Sequence, residues 1–237
     1  MSLYSKKYCD TEKSLKDNFL FTEESLQMLK GYTRAYKNFY CYEADIIEDI
    51  SRNKEGYFDF SKGMIDIGAA IGEYAANLDF NKIYAFEPDK KLLWTCQANL
   101  VNADKEDKAE TFQVALSDKE GEDTIFVNGV EEFRKVPVKT LDSFNLKDIG
   151  FIKIDVEGFE EKVIRGGLLT IISNNYPPIL FECWKAGQIA QDGTVFTQEK
   201  RDSLFNLLRT LGYEILECWG ILTLILRCIN NRETRKL

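Results

Sequence analysis

Histidine is absent from all 237 residues. That absence excludes Ser-His-Asp hydrolysis, histidine-ligated metal sites and a histidine general base, and leaves any proton transfer to carboxylate, Lys, Tyr, Cys or water. No apolar run approaches the roughly 18 residues that span a bilayer, so no membrane helix is expected. The opening stretch MSLYSKKYCDTEKSLKDNF lacks the apolar core and small-residue cleavage site of a secretory signal, which makes the cytoplasm the expected location. The six cysteines (Cys9, Cys41, Cys96, Cys183, Cys218 and Cys228) form no C-x-x-C pair. Buried reduced thiols are the reading that follows, rather than a zinc knuckle or a disulfide framework. A formal charge of -8 offers no phosphate-tracking surface, so no nucleic-acid partner is expected.

What is present divides into two parts. Residues 1–60 are polar, rich in Tyr and Phe, and carry helical patterns in TEESLQMLKGYTRAYKNFY and YEADIIEDISRN. They read as an N-terminal helical extension whose stripe of Tyr32, Tyr36, Phe39 and Tyr40 packs on the main domain or closes over it as a lid. From 61 to 237 a strand and helix rhythm predicts a doubly wound, mostly parallel α/β sheet. Its seven strands are MIDIG, KIYAFEP, TFQVAL, FIKIDV, PILFECW, YEILEC and LTLILRC. A β-rich insertion, DTIFVNGVEEFRKVPVK, separates the third from the fourth, with turns at Gly121 and Asn128-Gly129. Only Trp219, Gly220 and Ile221 join the last two strands, too few for a crossover helix, so these should form an antiparallel hairpin.

The first strand runs into Gly68 and Gly72, which allow a tight turn and close approach of an adenosine-bearing ligand to the strand end and helix start. The second strand ends in Glu87, nineteen positions after Gly68, where a carboxylate can accept hydrogen bonds from both hydroxyls of a ribose. The dinucleotide fingerprint G-x-G-x-x-G is broken, because Ala70 stands at its middle glycine; a nicotinamide-linked oxidoreductase is therefore a minor alternative.

The ordered segments DIGAAIGEY, AFEPD, VALSD, VKTLDSF, FIKIDVEGFEEKVIRGG and PPILFECW resemble the FkbM-type methyltransferases over roughly residues 63–185. The resemblance implies a class I, Rossmann-like fold and an S-adenosylmethionine (SAM)-dependent O-methyltransferase acting on a hydroxyl of a sugar, a glycan or a related small molecule. It also implies cofactor contacts at Gly68, Ala69, Gly72, Glu73, Tyr74, Glu87 and Pro88, and backbone contacts to the adenine at Ala115 and Leu116. Ala70 departs from the family, which often carries Asn there. A catalytically silent binding domain of the same fold is a further alternative.

On the fourth strand, period-two alternation puts Phe151, Lys153 and Asp155 on one face and Ile152, Ile154 and Val156 on the other. A lysine and a carboxylate within an apolar strand are costly to bury unless they pair or act. Methylating a hydroxyl requires a proton acceptor, for which Asp155, Glu157 and Glu182 are the candidates. Lys153 either steadies these carboxylates or holds the substrate oxygen. A carboxylate pair at adjacent strand ends is also a donor set for a divalent cation such as Mg²⁺. Glu160 and Glu161 read as solvated first-turn carboxylates, Asp142 as a turn or capping residue, and Trp184 as either a sugar platform or core.

Overall fold

Short runs of β-branched and aromatic residues bounded by Gly, Asp or Pro have little choice but to pair as strands. The computed structural model describes residues 3–7, 18–22, 43–127, 132–189, 195–219 and 222–227. Strands β1 (Leu3–Lys7) and β2 (Asn18–Thr22) pair antiparallel at the amino terminus. Helix α1 (Ala44–Arg52) follows, with Ile46, Ile47 and Ile50 on its buried stripe. The chain then alternates β3 (Gly63–Ile67), α2 (Glu73–Asn77), β4 (Lys82–Phe86), α3 (Lys90–Asn102) and β5 (Ala109–Phe112). Asp89 caps α3 by accepting the amides of Lys91 and Leu92, a contact worth about 1 kcal/mol.

A small second sheet comes next, formed by β6 (Ala115–Leu116), β7 (Gly121–Val127) and β8 (Glu132–Lys139) in the order β6-β8-β7. The main sheet resumes with β9 (Ile149–Ile154), α4 (Glu160–Arg165), α5 (Leu168–Ser173), β10 (Ile179–Glu182), α6 (Gln198–Thr210), β11 (Tyr213–Trp219) and β12 (Leu222–Arg227). Its order is β11-β12-β10-β9-β3-β4-β5. β3, β4, β5, β9 and β10 pair in parallel, and β12 runs antiparallel to both its neighbours. The expected doubly wound seven-stranded sheet with a reversed final hairpin is therefore the observed architecture.

The two faces of the sheet carry separate cores. Met64, Phe151 and Leu180 pack with Ile47, Ile50, Ala75 and Leu100, so α1, α2 and α3 cover one face. Ile65, Ile152, Ile154 and Phe181 pack with Val163, Ile171, Leu204 and Leu208, which puts α4, α5 and α6 on the other. Each such fully buried side chain contributes about 1.5 to 3 kcal/mol of transfer free energy. Asp142, expected to cap or fix the turn before the fourth strand, instead reaches the start of α5, where it accepts the amides of Leu169 and Thr170. Among the described residues no helix is long and apolar enough to cross a membrane.

Two features differ from the sequence reading. The run TFQVAL is split: β5 stops at Phe112, and β6 leaves the main sheet to pair with β8 through Ala115↔Val138 and Leu116↔Lys139. Val114 and Leu116 are drawn under the second face among Leu141, Val163 and Ile164, a burial that strand propensity does not anticipate. Near the amino terminus, β1 and β2 occupy part of the stretch read as helical. Thr22, the first residue of TEESLQMLKGYTRAYKNFY, ends β2, and α1 lies within YEADIIEDISRN. Tyr32, Tyr36, Phe39, Tyr40 and the Asn128-Gly129 turn lie outside the described residues.

Candidate active site

Register and period-two alternation gather the polar residues of four strands into two rows. Asp66 pairs with Ala85 of β4 and with Lys153 of β9, and Lys153 pairs with Leu180 of β10. Residues two positions further on belong to the same face. Glu87, Gly68, Asp155 and Glu182 thus come together at the carboxyl ends of β4, β3, β9 and β10. Strand order reverses between β3 and β9, and open α/β sheets bind their ligands at that point.

The turn after β3 depends on its glycines. Gly68 has φ +73°, and a Cβ there would stand 1.8 Å from the carbonyl oxygen of Asp155, so a side chain would drive β3 and β9 apart. Gly72 has φ +84°, and a Cβ there would meet the Cys96 sulfur at 2.7 Å, which accounts for the close packing of α2 on α3. Glu87 reaches across to this turn: Oε2 accepts the amide of Ala70 at 2.9 Å, and Oε1 accepts that of Asp89 at 2.8 Å. Burial pushes the Glu87 pKa up to about 7 against the pull of these two amides. Each oxygen keeps a second lone pair, so the carboxylate can still accept a diol. Glu73 and Tyr74 open α2 and Pro88 follows Glu87, beside the same turn.

Lys153 is the hub of the buried charge. Its Nζ donates to the Gly68 carbonyl at 3.0 Å and stands 3.4 Å from Asp155 Oδ2 and 3.7 Å from Asp66 Oδ1, over the ring of Tyr74. These acids hold its pKa above the usual lysine range despite burial. Asp66 is 1% exposed, and among the described residues neither of its oxygens completes a hydrogen bond. Burial raises its pKa, with Lys153 acting in the opposite direction. For Glu43, just ahead of α1, burial lifts the pKa while the charge of Lys153 lowers it. Lys153 balances the charge of Asp66 as an ion pair without completing a hydrogen bond to it.

The far side of the site is acidic as well. Glu182 is pushed up to about 9, first by burial and then by the neighbouring Asp155. The loop after β9 turns through Glu157 (φ +55°) and Gly158 (φ +96°) and wraps its amides around Glu160. Glu160 Oε1 accepts from Val156 at 3.3 Å and from Gly158 at 3.1 Å, and burial lifts its pKa to about 7. Glu160 is therefore a buried acid and not a solvated one. Its first-turn position signals helix-dipole placement but says nothing about the loop folding over it. Glu161 is half-buried, pairs with Arg165 at 2.7 Å and accepts from the Ser203 hydroxyl at 2.9 Å. A cavity of about 470 Å³ opens beside this loop, walled by Glu157, Phe159, Trp184, Phe196 and Lys200. Trp184 and Phe196 meet edge to face, 6.2 Å apart.

Most residues singled out from the sequence converge here: Gly68, Ala69, Gly72, Tyr74, Glu87, Lys153, Asp155 and Glu182 share the carboxyl edge, and Glu157 lines the cavity. Ala115 and Leu116 belong to β6 of the second sheet, with Leu116 in the apolar cluster of the second face. Asp66 and Glu43 were not anticipated. An acid alternating with Met64 inside an apolar strand is a signal that could have revealed Asp66; Glu43 carries none. Among the described residues no three His, Cys, Asp or Glu side chains converge as a metal site, so the residues do not fit the Mg²⁺ expectation.

The sequence matches the methyltransferase FkbM domain over residues 66–215. Its structure is similar to that of an FkbM methyltransferase from Methylobacillus flagellatus, with 18% identity and a TM-score of 0.57. That likeness covers 87% of this chain and 56% of the other, so the chain spans little more than half of that relative's length. It is also similar to a candidate caffeoyl-CoA O-methyltransferase from Staphylococcus aureus, with 16% identity, a TM-score of 0.50, and coverage of 86% of this chain and 92% of the other. At such identities the likeness is one of fold, that of the class I SAM-dependent methyltransferases. No curated protein matches the sequence. The matched segment takes in Asp66, Gly68, Glu87, Lys153, Asp155 and Glu182 and covers more than half of the residues, and the chain belongs to the FkbM methyltransferase family.

Proposed function

We propose that the protein is a SAM-dependent O-methyltransferase that methylates a hydroxyl of a sugar, a glycan or a related small molecule. The observation that carries this reading is the row Glu87, Gly68, Asp155 and Glu182 standing above the buried Asp66 and Lys153. SAM would supply a sulfonium methyl group: the acceptor oxygen forms the new C–O bond as the C–S bond breaks, and S-adenosylhomocysteine leaves as a neutral thioether. Glu87 holds the ribose diol, the turn at Gly68 and Ala69 lets the backbone approach the adenosine, and Asp66 meets the cationic end.

An alcohol is a poor nucleophile at neutral pH, so its proton must leave as the oxygen attacks. Asp155, held as an ion pair by Lys153, accepts that proton. Glu182 keeps its own proton, first because it is buried and then because two adjacent carboxylates resist ionising together, and it orients the acceptor oxygen. Trp184 and Phe196 offer an apolar wall against which a sugar ring stacks, and Glu157 lies at hand for a neighbouring hydroxyl.

Transfer of labelled methyl from SAM onto a panel of monosaccharides and nucleotide sugars tests the reaction. Asp155→Asn should lower kcat by about a hundredfold and methyl-donor affinity by about tenfold at most. A fully active Asp155→Asn variant would remove it as the base, and failure of the intact protein to bind SAM would end the methyltransferase reading.

A further inference from the structure

Alternation along β8 buries Val136 and Val138 and leaves Phe133, Lys135 and Pro137 exposed. The next position on the inward face belongs to Arg134, where a further apolar residue would continue the pattern. Its Nη1 ion-pairs with Asp89 Oδ2, while its Nη2 and Nε donate to Glu132 at 2.9 Å and 3.3 Å. The small second sheet is thereby fastened to the loop that follows β4.

Asp89 is 2% exposed, and each of its oxygens has a separate task. Oδ1 caps α3 by accepting the amides of Lys91 and Leu92, so the helix start does not require Arg134. Oδ2 takes the guanidinium, at a desolvation cost that only good geometry and further hydrogen bonds offset. The backbone amide of the same residue donates to Glu87 Oε1 at 2.8 Å. Arg134, Asp89 and Glu87 thus form one chain of contacts from the second sheet to the carboxyl end of β4. Arg134 also balances the charge of Asp89, which would otherwise repel that of Glu87 more strongly.

We propose that Arg134 is a positioning residue for donor binding: through Asp89 it holds Glu87 in the orientation that grips the ribose diol, which makes the second sheet part of the donor site. This rests on the reading of Glu87 as the diol-binding acid. The insertion between β5 and β9 then serves the site from outside the parallel sheet.

Calorimetry on the full chain with 5′-methylthioadenosine and its 2′-deoxy analogue tests the assignment, because the two differ only in the diol. The unmodified protein should prefer the diol ligand. Arg134→Met should weaken 5′-methylthioadenosine by about tenfold and leave the deoxy analogue unchanged, so that the preference shrinks by the same factor. Arg134→Lys keeps the charge but not the two-armed guanidinium, should shrink the preference by about threefold, and decides the matter by the same ratio if the Met variant does not fold. In an Asp89→Asn background, which retains a capping oxygen, Arg134→Met should have no further effect. Lys135→Ala, on the outward face of the same strand, should alter neither affinity. An unchanged preference in the Arg134 variants overturns the proposal, as does an equal loss for both ligands, which is what a merely structural role would give. An undiminished effect of Arg134→Met on the Asp89→Asn background also overturns it, since Arg134 would then not act through Asp89. If the unmodified protein binds the two ligands equally, Glu87 does not grip the diol and the underlying reading fails instead.

Discussion

The Ala70 amide donates to Glu87 Oε2 across 2.9 Å, so the acid that ends β4 and the turn that follows β3 form one unit. Removing the acid therefore affects both folding and binding. Glu87→Ala leaves the Ala70 and Asp89 amides without their acceptor and should destabilise the protein by about 1 to 3 kcal/mol in denaturant unfolding. SAM affinity should fall by about tenfold or more in calorimetry. Glu87→Gln retains an acceptor oxygen and should lose less stability.

Ala70 sits at φ +47°, in the left-handed region where a Cβ is crowded against the backbone. Asn tolerates this conformation better than Ala, and Gly adopts it freely. Ala70→Asn should accordingly raise stability by up to about 1 kcal/mol with SAM affinity retained, read as a higher melting temperature and an unaltered calorimetric titration. A lower melting temperature would show that the turn is not strained at this position.

Glu160 couples stability to pH. Its folded pKa, about 7, lies above the unfolded value of 4.5, so between those values the folded state binds more protons than the unfolded one. The stabilisation is fully present below pH 4.5 and is lost as pH rises through about 7. Glu87 adds a loss of the same sign over the same range. Melting temperature should thus decline from pH 5 towards pH 7. Glu160→Gln should flatten the slope, because the amide oxygen can still accept from Val156 and Gly158.

Glu182 and Asp155 are assigned different protonation states, and the pH dependence of turnover separates them. With Glu182 neutral until about 9, methyl transfer should weaken as pH passes that value. Glu182→Gln, a permanently neutral mimic, should stay active and remove the alkaline fall. An inactive Gln variant with intact SAM affinity would instead make Glu182 the base.

Local chemistry made much of this protein legible. β-branched runs between Gly, Asp and Pro marked the strands of the main sheet, and the brevity of the final connection foretold its reversed hairpin. The interval from Gly68 to Glu87 is set by one strand, one turn and one helix, so it could be read as a single ligand edge. Alternation along β9 separated Lys153 and Asp155 from Ile152 and Ile154, and the two faces of the sheet keep that division. Each of these signals lies within a stretch of some twenty residues.

What the tertiary structure alone decided lies between stretches. β1 and β2 pair where polar composition suggested helix, since strand pairing depends on a partner that propensity cannot see. Glu160 is buried because the loop after β9 folds over it, and β6 leaves the sheet because Val114 and Leu116 are better buried on its second face. The charge of Glu43 acts on Lys153 across 110 positions of chain, through the packing of α1 on the first face. Periodicity determines which way a side chain points from its own strand or helix. Which charges then become neighbours in a low-dielectric interior is set by how those elements pack, and no local pattern encodes it.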